Sequence, residues 1–193
     1  LSPEEIINGC LSGKRKAQEA LYNMYGGKMY GVCLRYTRNQ MEAEDVLQDG
    51  FVKVFKNIRS FRDLGENSLY NWMKRIMINT AINYLRNQKK HRYMADIDDY
   101  NHLQDSYDED GFFEELRTLV SQDEILNIIQ QLPEGYRMVF NLFAIEGYSH
   151  QEIADMLDVS VNTSKTQLFK ARQQIIGAIR KIASDRLIVR NVI

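Results

Sequence analysis

Apolar residues return at helical spacing in block after block of this chain. Nowhere do they alternate in the period-two pattern that a half-buried strand needs. Leu47, Phe51, Val54, Phe55 and Ile58 mark one such face, and Ile125, Ile128, Ile129 and Leu132 mark another. Tyr136, Val139, Phe140 and Phe143 mark a third. With only 2 prolines in 193 residues and 44% hydrophobic content, long helices are permitted and the chain reads as folded rather than disordered. The predicted fold class is all-α.

Boundary residues divide this pattern into elements. Residues 4–38 read as helical segments broken at Gly26-Gly27, because paired glycines weaken a helix interior. Asn39, with Glu42 three residues on, fits an N-cap for a helix over about 41–58. The turn-rich stretch SFRDLGENS then precedes a long helix over about 69–89. Pro133 suits the first turn of a helix reaching Gly147, since its missing N–H costs nothing there. Ser149 and Glu152 form a capping box for a short helix through Leu157. After Asp158-Val159-Ser160 a last helix runs over about 161–183.

Charge is segregated along the chain although the net charge is only -1. Residues 1–95 carry 16 Lys/Arg against 9 Asp/Glu, residues 96–124 carry 1 against 11, and residues 125–193 carry 8 against 6. Two basic helical modules, 1–95 and 121–193, are therefore expected to flank an acidic linker at 96–120, with a polyanion as partner for the basic parts. No run approaches the roughly 18 apolar residues of a membrane helix, so no membrane insertion is expected. The acidic opening LSPEEIINGC has no apolar core and predicts no secretory signal. Cys10 and Cys33 read as buried free thiols, and His91, His102 and His150 make no metal spacing with them. Neither a cofactor nor a metal is expected. No paired acid and base or activated nucleophile stands out either, so an enzyme is not expected. The cytoplasm is the expected location.

The short helix, tight turn and longer helix near the C-terminus make a helix-turn-helix pattern. On the last helix Val161, Leu168, Ala171, Ile175 and Ile182 share one stripe. Asn162, Thr163, Thr166, Lys170 and Gln173 lie opposite, with Lys165 and Phe169 at the flanks. That outer face has no acid from Val161 to Ala183. It offers donors and acceptors for base edges and cations for phosphates. A polar outer face is equally ordinary on a solvated helix pair, and the pattern alone leaves both readings open.

The long helix over 69–89 has two apolar faces. Trp72, Met73, Ile76, Met77, Thr80 and Tyr84 make one; Ile78, Ala81 and Leu85 make the other. Between them runs a polar stripe of Arg75, Asn79, Asn83 and Arg86. This stripe is either a solvated edge or a surface for duplex DNA. Just upstream, Phe61 and Tyr70 bracket a loop from Arg62 to Ser68 that can accept an unstacked base. On the helix over 41–58, Asp45, Val46, Asp49, Val52, Lys53 and Lys56 lie opposite the buried face. Two valines there suggest a partner surface or an unrecognised neighbouring helix.

The segment LPEGYRMVFNLFAIEGYSHQEIADMLDVSVNTSKTQLFKARQQI resembles region four of bacterial sigma factors. The resemblance implies contact with the minus-thirty-five promoter element through Lys165, Thr166, Phe169, Lys170 and Arg172. Asp158 stands where the family's turn usually has glycine, and Gln167 where a basic residue is common. Upstream, AEDVLQDGFVKVF resembles the core-binding helix of sigma region two, which implies docking through Asp45, Gln48, Asp49 and Val52. SFRDLGENSLYNWMKRIMINTAINYLR resembles the melting and minus-ten-reading segment, which implies roles for Arg62, Ser68, Arg75, Asn79, Asn83 and Arg86. Both motifs occur in the family's order, and the short acidic linker is similar to that of the extracytoplasmic-function group. The resemblance implies a transcription initiation factor that binds RNA polymerase core at the clamp helices of the large subunit and at the flap. It also implies promoter DNA as a ligand and an anti-sigma protein as a regulator. A stand-alone helix-turn-helix regulator is the alternative.

Overall fold

The computed structural model describes residues 2–89 and 120–192, with side chains over 2–87 and 120–186. The acidic linker expected at 96–120 lies outside the described residues, apart from Val120. The chain divides into two compact units, Leu1–Met94 and Ala95–Ile193. Among the described residues there is no strand, and no helix is long and apolar enough to cross a membrane.

Unit 1 is built from α1 (Pro3–Leu11), α2 (Arg15–Tyr36), α3 (Gln40–Asn57), a 3₁₀ turn (Ile58–Ser60) and α4 (Ser68–Lys89). Helices α2, α3 and α4 pack against one another, and α1 lies on α2. The break in the first helical block falls at Ser12–Lys14, not at Gly26-Gly27. Gly13 adopts φ 68°, and the N–H groups of Gly13 and Lys14 donate to the carbonyls of Cys10 and Gly9. This Schellman closure uses glycine's access to the left-handed region. Gly26 and Gly27 continue α2 because Leu21, Met29, Val32, Cys33 and Tyr36 bury its face. That packing outweighs the roughly 1 kcal/mol per glycine that local propensity costs.

Helix α3 begins as its sequence predicts, with the Asn39 side chain accepting from the Glu42 N–H at 2.9 Å. Its buried arc is wider than expected because α2 and α4 both cover it. Val46, expected on the outward face, is 0% exposed, while Val52 remains 49% exposed. Lys53 also bends inward, donating to the Thr80 hydroxyl of α4 at 3.1 Å. Helix α4 comes close against α3 at Gly50, where an added Cβ would lie 2.1 Å from the Met77 Sδ. Cys10 and Cys33 are buried free thiols, and burial pushes the Cys33 thiol up to about 12.

Unit 2 contains α5 (Gln122–Gln131), α6 (Glu134–Phe140), a π turn (Asn141–Ile145), α7 (His150–Leu157) and α8 (Val161–Val192). Helix α8 is the spine against which α5, α6 and α7 pack. It extends well past the predicted end at 183. Pro133 occupies the N-cap of α6, one position before the first turn. The Arg137 guanidinium is fully buried and donates through Nη1 to the carbonyls of Gln130 and Leu132 at 2.8 and 3.1 Å. It thereby caps the end of α5 from inside the core.

Candidate nucleic-acid interface

The helix-turn-helix is fixed by local chemistry at each end of α7. Ser149 accepts from the Glu152 N–H, and the Glu152 carboxylate accepts from the Ser149 N–H at 2.8 Å. The Ser149 backbone N–H, and then its hydroxyl, hold the Glu152 carboxyl below its usual range. At the other end Asp158 takes φ 58° and ψ 51°, the left-handed conformation the turn needs. An aspartate tolerates this better than most side chains. The N–H groups of Asp158 and Val159 both donate to the Ala154 carbonyl. Ser160 then starts α8, its hydroxyl accepting from the Thr163 N–H at 2.9 Å.

The inner side of α8 is set by Ser164, Leu168, Ala171, Ile175 and Ile179, all buried. This rotation leaves Asn162, Lys165 and Gln173 exposed, with Thr166, Phe169 and Lys170 partly exposed. Arg172 is also partly exposed, but its guanidinium sits 5.9 Å from the Phe143 ring centre. The other member of that stack is His150, whose ring lies 4.5 Å from Phe143 at 22°. Its Nδ1 lies 2.9 Å from the Ser164 hydroxyl, linking the first helix of the motif to the second. The sequence reading missed this cluster. The π turn advances the chain by an extra residue, with the Glu146 N–H donating to the Asn141 carbonyl, and so rotates Phe143 away from the pattern of Val139 and Phe140. Gln167 lies against Gly135 of α6, where an added Cβ would come within 2.7 Å of its amide nitrogen. Its polar end is therefore used in packing α6 to α8.

In unit 1, Arg75, Asn79, Asn83 and Arg86 are all exposed along one edge of α4. Spacings of four, four and three residues keep them in line. The same helix is anchored by Met73, Met77, Ile78, Ala81, Ile82 and Leu85, all buried. Trp72 is half-buried, its ring 5.5 Å from Phe61 at the start of the 61–67 loop. Within that loop Arg62 is exposed, but Ser68 donates its hydroxyl to Asp63 at 2.7 Å. Ser68 thus shapes the loop from within rather than standing free on its surface.

Asp45, Gln48, Asp49 and Val52 are all exposed on α3 and, at i, i+3, i+4 and i+7, share one face. Tyr84 of α4 donates to Asp45 at 3.4 Å. Met41, which the sequence reading left out, is 75% exposed and heads the same stripe, four residues before Asp45. An exposed methionine and valine framing acidic and amide groups suit a protein partner better than bare solvent. Among the described residues no group of three His, Cys, Asp or Glu side chains is placed to hold a metal ion.

Comparison with known proteins follows the same division. Residues 21–91 match the family described as Sigma-70 region 2, and residues 122–175 match Sigma-70, region 4. The ECF RNA polymerase sigma-E factor of Haemophilus influenzae is 32% identical over 187 residues, covering 94% of this chain and 97% of that protein. The Escherichia coli K12 protein of the same description is 29% identical over 189 residues, covering 94% and 96%. The solved structure of the sigma factor RpoE with the anti-sigma factor NepR from Bartonella quintana aligns over 84% of this chain and 96% of that one. Its sequence identity is 14% and its TM-score 0.49.

Proposed function

This chain belongs to the ECF group of RNA polymerase sigma factors, and from that premise we propose how its residues divide the work of promoter-directed initiation. It is a transcription initiation factor that binds RNA polymerase core, directs it to promoters and promotes melting. The family is non-catalytic, and we infer that this chain likewise performs no covalent chemistry of its own, leaving that to the polymerase. Its working division is 1–95 for core binding and minus-ten recognition, 96–120 as acidic linker, and 121–193 for the minus-thirty-five element. Its location is the cytoplasm, and an anti-sigma protein is its expected regulator.

One observation carries the assignment of DNA contacts. A single chain pairs an exposed Arg/Asn edge on α4 with a helix-turn-helix whose second helix turns hydroxyls, amides and lysines outward. On α8, Lys165 and Lys170 supply phosphate attraction while Thr166 and Phe169 approach base edges. Arg172 contributes from its seat on Phe143, so its charge is held at a fixed place rather than on a swinging side chain. On α4, Arg75 and Arg86 track the backbone, and Asn79 and Asn83 offer amides to bases. Arg62 and the loop ending at Ser68 receive the melting strand. On α3, Asp45, Gln48, Asp49 and Val52, joined by Met41, dock on the polymerase.

The test is core binding followed by transcription from duplex promoters, with base substitutions at the two elements. Changes in minus-thirty-five preference should follow substitutions on α8, and changes in minus-ten preference should follow substitutions on α4. Specific duplex binding by the free chain, without any affinity for polymerase core, would favour a stand-alone helix-turn-helix regulator.

A further inference from the structure

We propose that His150 is a positioning residue for promoter binding: its ring stacks on Phe143, the seat of Arg172, so one DNA contact of α8 is set from the start of α7. This inference rests on the reading of α8 as the minus-thirty-five helix and extends it to a residue on the neighbouring element. Three elements meet at this point. Phe143 comes from the π turn, His150 opens α7, and Ser164 and Arg172 come from α8. The rings of Phe143 and His150 lie 4.5 Å apart at 22°. The Arg172 guanidinium carbon lies 5.9 Å from the Phe143 ring centre, within the range at which a ring face attracts a cation.

Each ring is held by its own surroundings. The Glu146 N–H donates to the Asn141 carbonyl at 3.0 Å and the Tyr148 N–H to the Leu142 carbonyl at 2.9 Å, which fixes the backbone on both sides of Phe143. Gly147, at φ 80°, then turns the chain toward α7. His150 follows the Ser149 cap, and its Nδ1 lies 2.9 Å from the hydroxyl of Ser164, which is 0% exposed. A buried hydroxyl needs a partner, so this bond orients the imidazole while it ties α7 to α8. Arg172 stands seven residues after Lys165 and three after Phe169, on the same stripe of α8 as those two proposed DNA contacts. Its Nε is buried, and the residue as a whole is partly exposed.

The chemistry of the seat favours a role in binding over packing alone. A carboxylate would hold the guanidinium through its N–H fork, the same edge that grips a phosphate. A ring face attracts the cation without using that fork. Stacking thus limits where Arg172 swings before DNA arrives, and a side chain ordered in advance loses less freedom on binding. His150 offers two separable handles on this arrangement, the ring that stacks on Phe143 and the nitrogen that meets Ser164. His150→Asn removes the ring and keeps a polar atom in the place of Nδ1. His150→Phe keeps a ring and takes this partner away from Ser164.

The experiment measures binding of the full chain, assembled with RNA polymerase core, to a promoter duplex by fluorescence anisotropy, alongside the thermal midpoint of the chain alone. Promoter affinity should follow the ring: His150→Asn should lower it about fivefold, and His150→Phe should stay within about twofold of the parent. The thermal midpoint should follow the hydrogen bond and fall further for His150→Phe than for His150→Asn. Arg172→Ala should lower affinity about tenfold by itself. In that background His150→Asn should cost less than about twofold, because the residue it positions is gone. Affinity that His150→Asn leaves unmoved, or that falls in step with the thermal midpoint, would overturn the positioning role. A loss that persists undiminished beside Arg172→Ala would overturn it too, since His150 would then meet DNA itself. Parent affinity in Arg172→Ala would instead sink the assignment of Arg172 as a DNA contact, on which the inference rests.

Discussion

Gly50 in α3 and Gly27 in α2 both sit inside helices, yet the same change to alanine should move stability in opposite directions. At Gly27 an added Cβ meets nothing within 4 Å. Gly27→Ala should therefore gain the helix-propensity difference, about 1 kcal/mol. At Gly50 the new Cβ would lie 2.1 Å from the Met77 Sδ and 2.9 Å from its Cε. Comfortable separation is roughly 3.5–4 Å, so the thioether end of Met77, buried at 0% exposure, must shift within the core to admit the methyl. Overpacking of this kind costs about 1–3 kcal/mol, so after the propensity gain Gly50→Ala should lose up to about 2 kcal/mol. The chain has 1 tryptophan, Trp72 on α4, so its fluorescence in urea reports unit 1 directly. With a slope of about 1–3 kcal/mol per molar, each kcal/mol moves the midpoint by roughly 0.3–1 M. Met77→Ala should cost less in the Gly50→Ala background than in the parent, because the new methyl fills part of the cavity. Equal shifts of the same sign at the two glycines, or strict additivity with Met77→Ala, would refute this account of how α3 and α4 meet.

The remaining predictions concern partners and the second unit. Charge reversal at Asp45 and Asp49 should weaken binding to polymerase core while circular dichroism stays unchanged; unaltered affinity would remove α3 as the docking face. Lys170→Ala should weaken promoter binding by the holoenzyme and reduce its salt slope by about 1, while core binding measured in parallel stays at the parent value. Ser149→Ala removes the N-cap of α7 and should lower the stability of unit 2 by about 1 kcal/mol, seen as an earlier thermal transition. Because Glu152 titrates below its usual range in the fold, its contribution is full above the ordinary carboxylate value near 4.3 and fades as pH falls through the depressed one. Thermal midpoints followed from pH 6 down to pH 3 should therefore fall, and Glu152→Gln should flatten part of that slope.

Much of this fold is legible because its boundaries are written in local chemistry. Asn39, the Ser149 and Glu152 pair, and Asp158 each state where a helix starts or stops, and each does so through hydrogen bonds within a few residues. The two exposed polar stripes were readable for a related reason: helical periodicity assigns Arg75, Asn79 and Asn83 to one edge whatever the neighbours are. What escaped was decided by packing between elements. Gly26-Gly27 looks like a break, and only the burial of α2 between α3 and α4 keeps the helix running. Val46 looks outward until a second neighbour covers it. The π turn at Asn141–Ile145 leaves no mark in the apolar pattern, yet it sets where Phe143 meets His150 and Arg172. Asp63 was legible only as part of a turn-rich stretch, since nothing in its spacing tells that its carboxylate closes the loop on Gly65 and Ser68.

The most direct measurement is binding of the full chain to purified RNA polymerase core, followed by transcription from a randomised promoter library. The account predicts tight core binding and a discrete set of new start sites sharing one minus-ten and one minus-thirty-five element. Absence of core binding, with specific duplex binding by the chain alone, would contradict it.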